Sequence, residues 1–88
     1  MEPTLSHQKN PAEGWDISAS AKPDKGEKMS RAQIIVNGSS QYDKSFNPPL
    51  SSWQERLNQQ GQFAGNNTVR LIITNDKSEE FEALDSWS

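Results

Sequence analysis

Few side chains in this sequence carry the chemistry on which enzymes depend. There is no cysteine, and the only histidine is His7, which lies among polar residues near the start of the chain. A serine activated by His7 would require this polar stretch to dock against the rest of the protein. The sequence also has no Gly-x-Ser-x-Gly motif. We therefore predict a protein that is not an enzyme.

Carboxylates are more numerous, but their spacing favours neither acid–base catalysis nor metal binding. Glu80 and Glu82 have no large apolar run beside them that would raise one pKa above the other. Asp76, Glu79 and Glu80 offer oxygen ligands without the spacing or the glycine of a calcium loop. A zinc site is excluded by one histidine and no cysteine. We expect no cofactor and no bound metal.

Composition divides the chain into two parts near residue 29. Residues 1–28 hold three of the five prolines and few apolar side chains, whereas residues 29–88 hold every Phe, Tyr and Val. Mean hydropathy is −0.95, which is low for a globular chain. We expect a mostly flexible N-terminal segment over 1–28 and a small domain over 29–88. The alternation of Trp15, Ile17, Ala19 and Ala21 with polar residues allows one strand, 15–21, within the N-terminal segment.

The net charge argues against nucleic acid as a partner, and the shortness of the apolar runs argues against a membrane. The net charge is −3, so the chain lacks the positive surplus that phosphate-backbone binding needs, and nucleic acid is an unfavoured partner. No apolar run approaches the length of a membrane span, and no basic-then-apolar signal peptide begins the sequence. We expect a cytoplasmic protein with no membrane partner.

Two segments are predicted as strands, because they are rich in β-branched residues. They are 32–36, which ends in the turn-forming pair Asn37-Gly38, and 68–74. Both have apolar residues on both faces, which indicates central positions in a sheet. About thirty residues separate them, which suits a βαβ unit or an antiparallel pair with a helical excursion.

Helical signals complete the predicted fold. Ser52 and Glu55 have the spacing of a capping box, and Trp53 and Leu57 are four apart, which predicts a helix over 52–60. The spacing of Phe81, Leu84 and Trp87 favours a second helix from 78, with a hairpin partner to 68–74 as the alternative. The predicted fold class is α+β, with a three- to four-stranded sheet and one or two short helices.

A domain this small buries little surface, so docking on a partner is a natural source of further stability. We predict a protein-binding module, a small regulator or inhibitor of bacterial or phage type, that sterically occludes another protein. Single-stranded nucleic-acid binding by aromatic stacking and homo-oligomeric assembly are the alternatives. Trp15 and Trp87 could instead pack on each other. The predicted partner-binding residues combine aromatic anchors with charged neighbours: Trp15, Tyr42, Trp53, Arg56, Glu79, Glu80 and Trp87.

Overall fold

The chain forms two antiparallel β-sheets that pack face to face. The computed structural model describes residues 1–11, 14–59 and 65–88. The seven strands of this part of the chain are β1 (Glu2–Asn10), β2 (Gly14–Lys22), β3 (Met29–Val36), β4 (Ser39–Leu50), β5 (Trp53–Gln59), β6 (Asn67–Asn75) and β7 (Glu80–Trp87). One sheet has three strands in the order β1-β2-β5, and the other has four in the order β4-β3-β6-β7.

The core lies between the sheets and follows the alternation of their strands. From β2, the inward side chains are Ile17, Ala19 and Ala21. From the central strands β3 and β6 they are Met29, Ala32, Ile34, Val36, Val69, Leu71 and Ile73. Because successive strand residues point to opposite faces, the intervening positions form the two outer faces of the sandwich.

Local turn chemistry fixes two of the hairpins. Asn37 and Gly38 both have positive φ, 49° and 80°, and form the two-residue loop between β3 and β4. Between β6 and β7, the buried Asn75 side chain organises the turn. Its Oδ1 accepts the backbone N–H groups of Lys77 and Glu79 at 2.9 and 2.8 Å. Its Nδ2 donates to Glu27 at 2.8 Å and to Glu79 at 3.0 Å.

The predicted α+β fold class is wrong, because the described residues contain no helix. The segment predicted as the helix 52–60 contains β5 up to Gln59, with residue 60 outside the described residues. The segment predicted as a helix from 78 contains β7, which is the antiparallel hairpin partner of β6 that the alternative named. Trp53 and Leu57 fit either structure because positions four apart share one side of a strand as well as one face of a helix.

The N-terminal segment is also not mostly flexible. It contains β1 and β2, which pair from Glu2↔Lys22 to Asn10↔Gly14, and the predicted strand 15–21 lies within β2. Low hydropathy did not indicate a flexible segment here, because β1 is an edge strand and its inward positions include the polar His7.

The predicted strands 32–36 and 68–74 lie within β3 and β6, respectively. They are the central strands of the four-stranded sheet, as their apolar faces indicated. They pair antiparallel with each other, so the βαβ alternative is wrong, and the excursion between them contains β4 and β5 rather than a helix.

Candidate protein-interaction surface

The single imidazole is part of a packed polar contact. His7 Nδ1 lies 2.6 Å from Asp85 Oδ2, which joins β1 to β7 across the sandwich. The His7 ring stacks on Trp87, with ring centroids 4.0 Å apart. Among the described residues, no serine or threonine hydroxyl bonds to His7. The pair therefore has an orienting carboxylate but no nucleophile within this part of the chain.

The carboxylates of the acidic run 76–85 do not converge on one point. Asp76 Oδ1 accepts the Lys28 backbone N–H at 3.3 Å, and Glu79 accepts from Asn75. Glu80 lies on the outer face of β7, opposite Thr74. Within residues 1–11, 14–59 and 65–88, no group of three or more acidic, His or Cys side chains could hold a metal ion.

Two of the predicted aromatic anchors close one side of the sandwich. The rings of Trp15 and Trp87 lie 5.1 Å apart, and His7 contacts both of them. The indole N–H of Trp87 is buried and has no hydrogen-bond partner among the described residues. Trp15 and Trp87 thus pack on each other, in line with the structural alternative for these two residues.

The other two aromatic anchors meet on the opposite side of the sandwich. Trp53 Nε1 donates to the Tyr42 hydroxyl at 3.2 Å, and their ring centroids are 5.8 Å apart. This contact links β5 of the three-stranded sheet to β4 of the four-stranded sheet. Lys44 lies over the Tyr42 ring, with Nζ 5.6 Å from the centroid, a distance suited to a cation–π contact.

This second side is incompletely covered because the two sheets differ in width. Strand β1 lies against β7 and β6, so the narrower sheet ends at β5 and β4 extends beyond it. The inner face of β4 is then covered only in part, by the edge of β5 through the contact between Trp53 and Tyr42. Its side chains Tyr42 and Phe46 are only half-buried, as are Trp53 and Leu57 of β5.

We name this surface the open side. It consists of Tyr42, Lys44 and Phe46 of β4 and Trp53 and Leu57 of β5. Lys44 belongs to the inner face because it pairs with the fully buried Ala32, yet its side chain is exposed. In the part of the chain that the structure describes, no strand pairs with the outer edge of either β4 or β5. Large apolar side chains and unpaired backbone groups therefore lie together on the open side.

The charged residues of the prediction are distributed over three places. Arg56 lies on the outer face of β5, next to the open side, and it forms no ion pair with a described carboxylate. Glu79 belongs to the Asn75 turn, and Glu80 to the outer face of the four-stranded sheet. The structure brings Tyr42 and Trp53 together, places Arg56 on the opposite face of β5, and leaves the other predicted residues elsewhere.

Lys44, Phe46 and Leu57 were missed as site residues. Lys44 and Phe46 could have been found from the sequence, because Tyr42, Lys44 and Phe46 occupy alternate positions and would therefore lie on one face of a strand. The polar residues of 39–50 and the pair Pro48-Pro49 favour a loop in the sequence, which hides the alternation.

A separate apolar patch lies on the outer face of the four-stranded sheet. Leu84 of β7 is 70% exposed. Together with Ile35 and Arg70 it lines a shallow depression of about 400 Å³. Arg70 also forms an ion pair with Glu82, with Nε 2.6 Å from Oε2.

Ion pairs elsewhere on this outer face tie neighbouring strands together. Arg31 of β3 donates to both carboxylate oxygens of Asp43 of β4, at 2.9 and 2.8 Å. These hydrogen bonds hold the pKa of Asp43 below its ordinary value and raise the pKa of Arg31. The two arginines on this face are thus already matched by carboxylates.

Comparisons with known proteins show the fold. Neither a protein-family model nor a curated protein matches the sequence. A solved structure of fibronectin(III)-like modules of CbhA from Clostridium thermocellum is similar, with a TM-score of 0.56 and 21% sequence identity. The match covers 96% of this chain and 89% of that one. The chain therefore has a fibronectin(III)-like fold. None of the described segments is a helix able to cross a membrane.

Proposed function

We propose that this chain is a non-enzymatic module that binds another protein through the open side, and that it acts as a small regulator or inhibitor by covering the partner's surface. The observation that carries the proposal is the difference in width between the sheets. It leaves Tyr42, Phe46, Trp53 and Leu57 half-buried beside two strand edges with which no described strand pairs.

Two physical arguments support a protein as the partner. Tyrosine and tryptophan contribute large contact areas with few rotatable bonds, so they are enriched among the residues that dominate binding energy. A docked partner would also complete the burial of these side chains, at roughly 25 cal/mol for each Å² of apolar surface removed from water. The ammonium of Lys44 lies over the Tyr42 ring, and the carboxylate-bearing Glu55 shares the inward face of β5 with Trp53 and Leu57, so charged side chains border the apolar centre.

Single-stranded nucleic acid is the less favoured ligand. Tyr42 and Trp53 contact each other through ring and hydrogen bond, so stacking a base between them would require their separation. Arg31 and Arg70 are paired with carboxylates, which reduces the positive charge available to phosphates. A salt titration distinguishes the two, because phosphate contacts weaken steeply with ionic strength.

A homo-oligomeric assembly component is the second candidate, and the exposed Leu84 favours it. Large exposed apolar side chains rimmed by charges are typical of association surfaces. Light scattering tests this candidate, because a dimer through this face would have twice the mass of 9.9 kDa. Leu84→Lys should then restore the monomer.

The proposed function is tested with a pair of matched variants. Leu57→Lys places a charge on the open side, and Leu84→Lys places the same charge on the outer face of the other sheet. Each variant and the unaltered chain would be used to recover proteins from extract of the native cell. We expect a specific protein to be retained by the unaltered chain and by Leu84→Lys. Leu57→Lys should bind it about 30-fold more weakly, the effect of losing a central interface residue.

Thermal unfolding of both variants provides the folding control. The proposal is wrong if a folded Leu57→Lys retains the same protein as strongly as the unaltered chain does.

A further inference from the structure

The outer edge of β5 is a suitable template for an additional strand. The strand comprises Trp53–Gln59, Trp-Gln-Glu-Arg-Leu-Asn-Gln, and contains no proline and no glycine. Alternate backbone N–H and C=O groups along it point away from β2, and no described strand pairs with them. The Arg56 N–H donates to the Glu55 Oε1 atom of the same strand at 3.0 Å, so an added strand would have to replace this hydrogen bond to pair with that donor. The edge of β4, by comparison, contains Pro48 and Pro49, which remove backbone donors. An inward-facing charged side chain is present at both edges, Lys44 in β4 and Glu55 in β5, and does not distinguish them. Strand addition is therefore favoured at β5.

An added strand at this edge would also cover the open side. It would extend the three-stranded sheet to four strands and cover more of the inner face of β4, whose side chains Tyr42 and Phe46 are only half-buried. There is room beside Trp53, where a depression of about 430 Å³ is lined by Ala21, Ser52 and Gln54 as well. The inward residues of the new strand would pack against the side chains that are now half-buried.

We propose, building on the proposed function, that the partner contributes an extended segment that pairs antiparallel with β5 as a fourth strand. Antiparallel pairing matches the β2–β5 ladder, and directly opposite residues share one face of the sheet. The residue opposite Arg56 would be acidic, because this guanidinium has no carboxylate partner among the described residues. The residue opposite Glu55 would be basic, and those opposite Trp53 and Leu57 apolar.

The charges on β5 argue against a second copy of this chain as the added strand. The seven-residue antiparallel register of two β5 strands places Arg56 opposite Arg56 of the other copy. The next register on one side places Glu55 opposite Glu55. Like charges directly opposite each other destabilise a strand pair. The register shifted equally far to the other side places Leu57 opposite Leu57, so the charges disfavour a second copy in two of these three registers. A segment with complementary charges meets no such repulsion.

The experiment uses two synthetic heptapeptides of identical composition. The complementary peptide, Val-Thr-Val-Glu-Lys-Thr-Val, places Glu opposite Arg56 and Lys opposite Glu55. The control peptide, Val-Thr-Val-Lys-Glu-Thr-Val, exchanges these two charges. Each would be titrated to millimolar concentration into the ¹⁵N-labelled full chain and followed by amide chemical shifts and hydrogen exchange.

We expect the complementary peptide to change the chemical shifts of the β5 amides and to slow hydrogen exchange at those β5 N–H groups that do not donate to β2. Its affinity should be about tenfold higher than that of the control peptide. The double variant Glu55→Arg/Arg56→Glu should reverse this preference. Equal affinity for both peptides, shifts without slowed β5 exchange, or no binding by either would overturn strand addition.

The unaltered chain and the Leu57→Lys variant distinguish failure of this inference from failure of the proposed function. If Leu57→Lys fails to retain the captured protein and neither peptide binds the unaltered chain, the protein-binding function stands and the added strand is ruled out. Retention of that protein by a folded Leu57→Lys removes the proposed function itself. Dimerisation that competes with the peptide would identify a second copy as the occupant and contradict the inference.

Discussion

Substitution of Ile17 tests whether the first two strands contribute to the folded domain. Ile17 is 1% exposed and belongs to β2, the middle strand of the three-stranded sheet. It is the one large side chain of that sheet that is fully buried among the described residues. Ile17→Ala removes three carbon atoms from the core. At about 0.8 kcal/mol for each buried carbon, the transfer contribution is about 2.4 kcal/mol.

The cavity that remains raises the expected cost to about 3–4 kcal/mol. A chain of this length has a total stability of roughly 4–13 kcal/mol, so the substitution removes a large part of it. Ile17→Val should cost about 1 kcal/mol, and Ser18→Ala on the outer face less than about 0.5 kcal/mol.

Urea denaturation followed by tryptophan fluorescence measures these differences. With a urea dependence of about 1.5 kcal/mol per molar, the midpoint for Ile17→Ala should fall by about 2 M at unchanged slope. If Ile17→Ala is no less stable than Ser18→Ala, then β2 is not part of the cooperative core. The flexible N-terminal segment inferred from composition would then be the better description.

Three further predictions concern polar contacts. Asn75→Ala leaves the Lys77 and Glu79 amides without their acceptor and should cost about 2–3 kcal/mol in urea denaturation, whereas Asn66→Ala, at an exposed position just before β6, should cost little. The Asn75 side chain and the Asp24 backbone hold the pKa of Glu27 at about 2, below its ordinary 4.5. The stability that ionised Glu27 contributes should therefore be complete above pH 4.5 and decline as the pH falls towards 2. Melting temperatures from pH 2 to 6 should show a weaker acid dependence for Glu27→Gln. Tyr42→Phe removes the acceptor for Trp53 and should lower the free energy of unfolding by about 1 kcal/mol. In a double-mutant cycle with Trp53→Phe, the double variant should lose less stability than the sum of the two single variants, because both remove the same hydrogen bond.

The sequence was sufficient to locate the central strands, because hydrophobicity and β-branching agree there. The runs within β3 and β6 are apolar on both faces, a pattern that few other structures produce. The Asn37-Gly38 turn was equally clear, because the positive φ at both positions is most easily adopted by these residue types.

The edge strands could not be identified in the same way, because polar contacts replace apolar burial in them. In β7 the inward positions are Phe81, Ala83, Asp85 and Trp87. Asp85 interrupts the alternation of apolar residues because its carboxylate contacts His7 of β1. Both members of this pair are polar, so neither strand shows a regular period of two, and the three-residue spacing of Phe81, Leu84 and Trp87 suggested a helix instead.

The candidate site could be predicted only in part, because it depends on which sheet each strand joins. Tyr42 and Trp53 were selected as aromatic residues, without any indication that they meet. Their proximity, and the open side itself, follow from the assignment of β5 to a sheet one strand narrower than its neighbour. No local pattern in the sequence encodes that difference in width. The nucleic-acid alternative could also use Phe63 for base stacking, and this residue lies outside the described residues.

Site-specific photo-crosslinking provides the most direct test of the open side as a protein-binding surface. A photoreactive phenylalanine analogue would replace Lys44 on the open side, Ser18 on the outer face of the three-stranded sheet, or Leu84 on the outer face of the other sheet. Irradiation in native cell extract should give one discrete adduct from position 44 that excess unaltered chain prevents from forming. Adducts of equal yield from all three positions, or a discrete adduct from position 18 or 84 alone, would contradict the account.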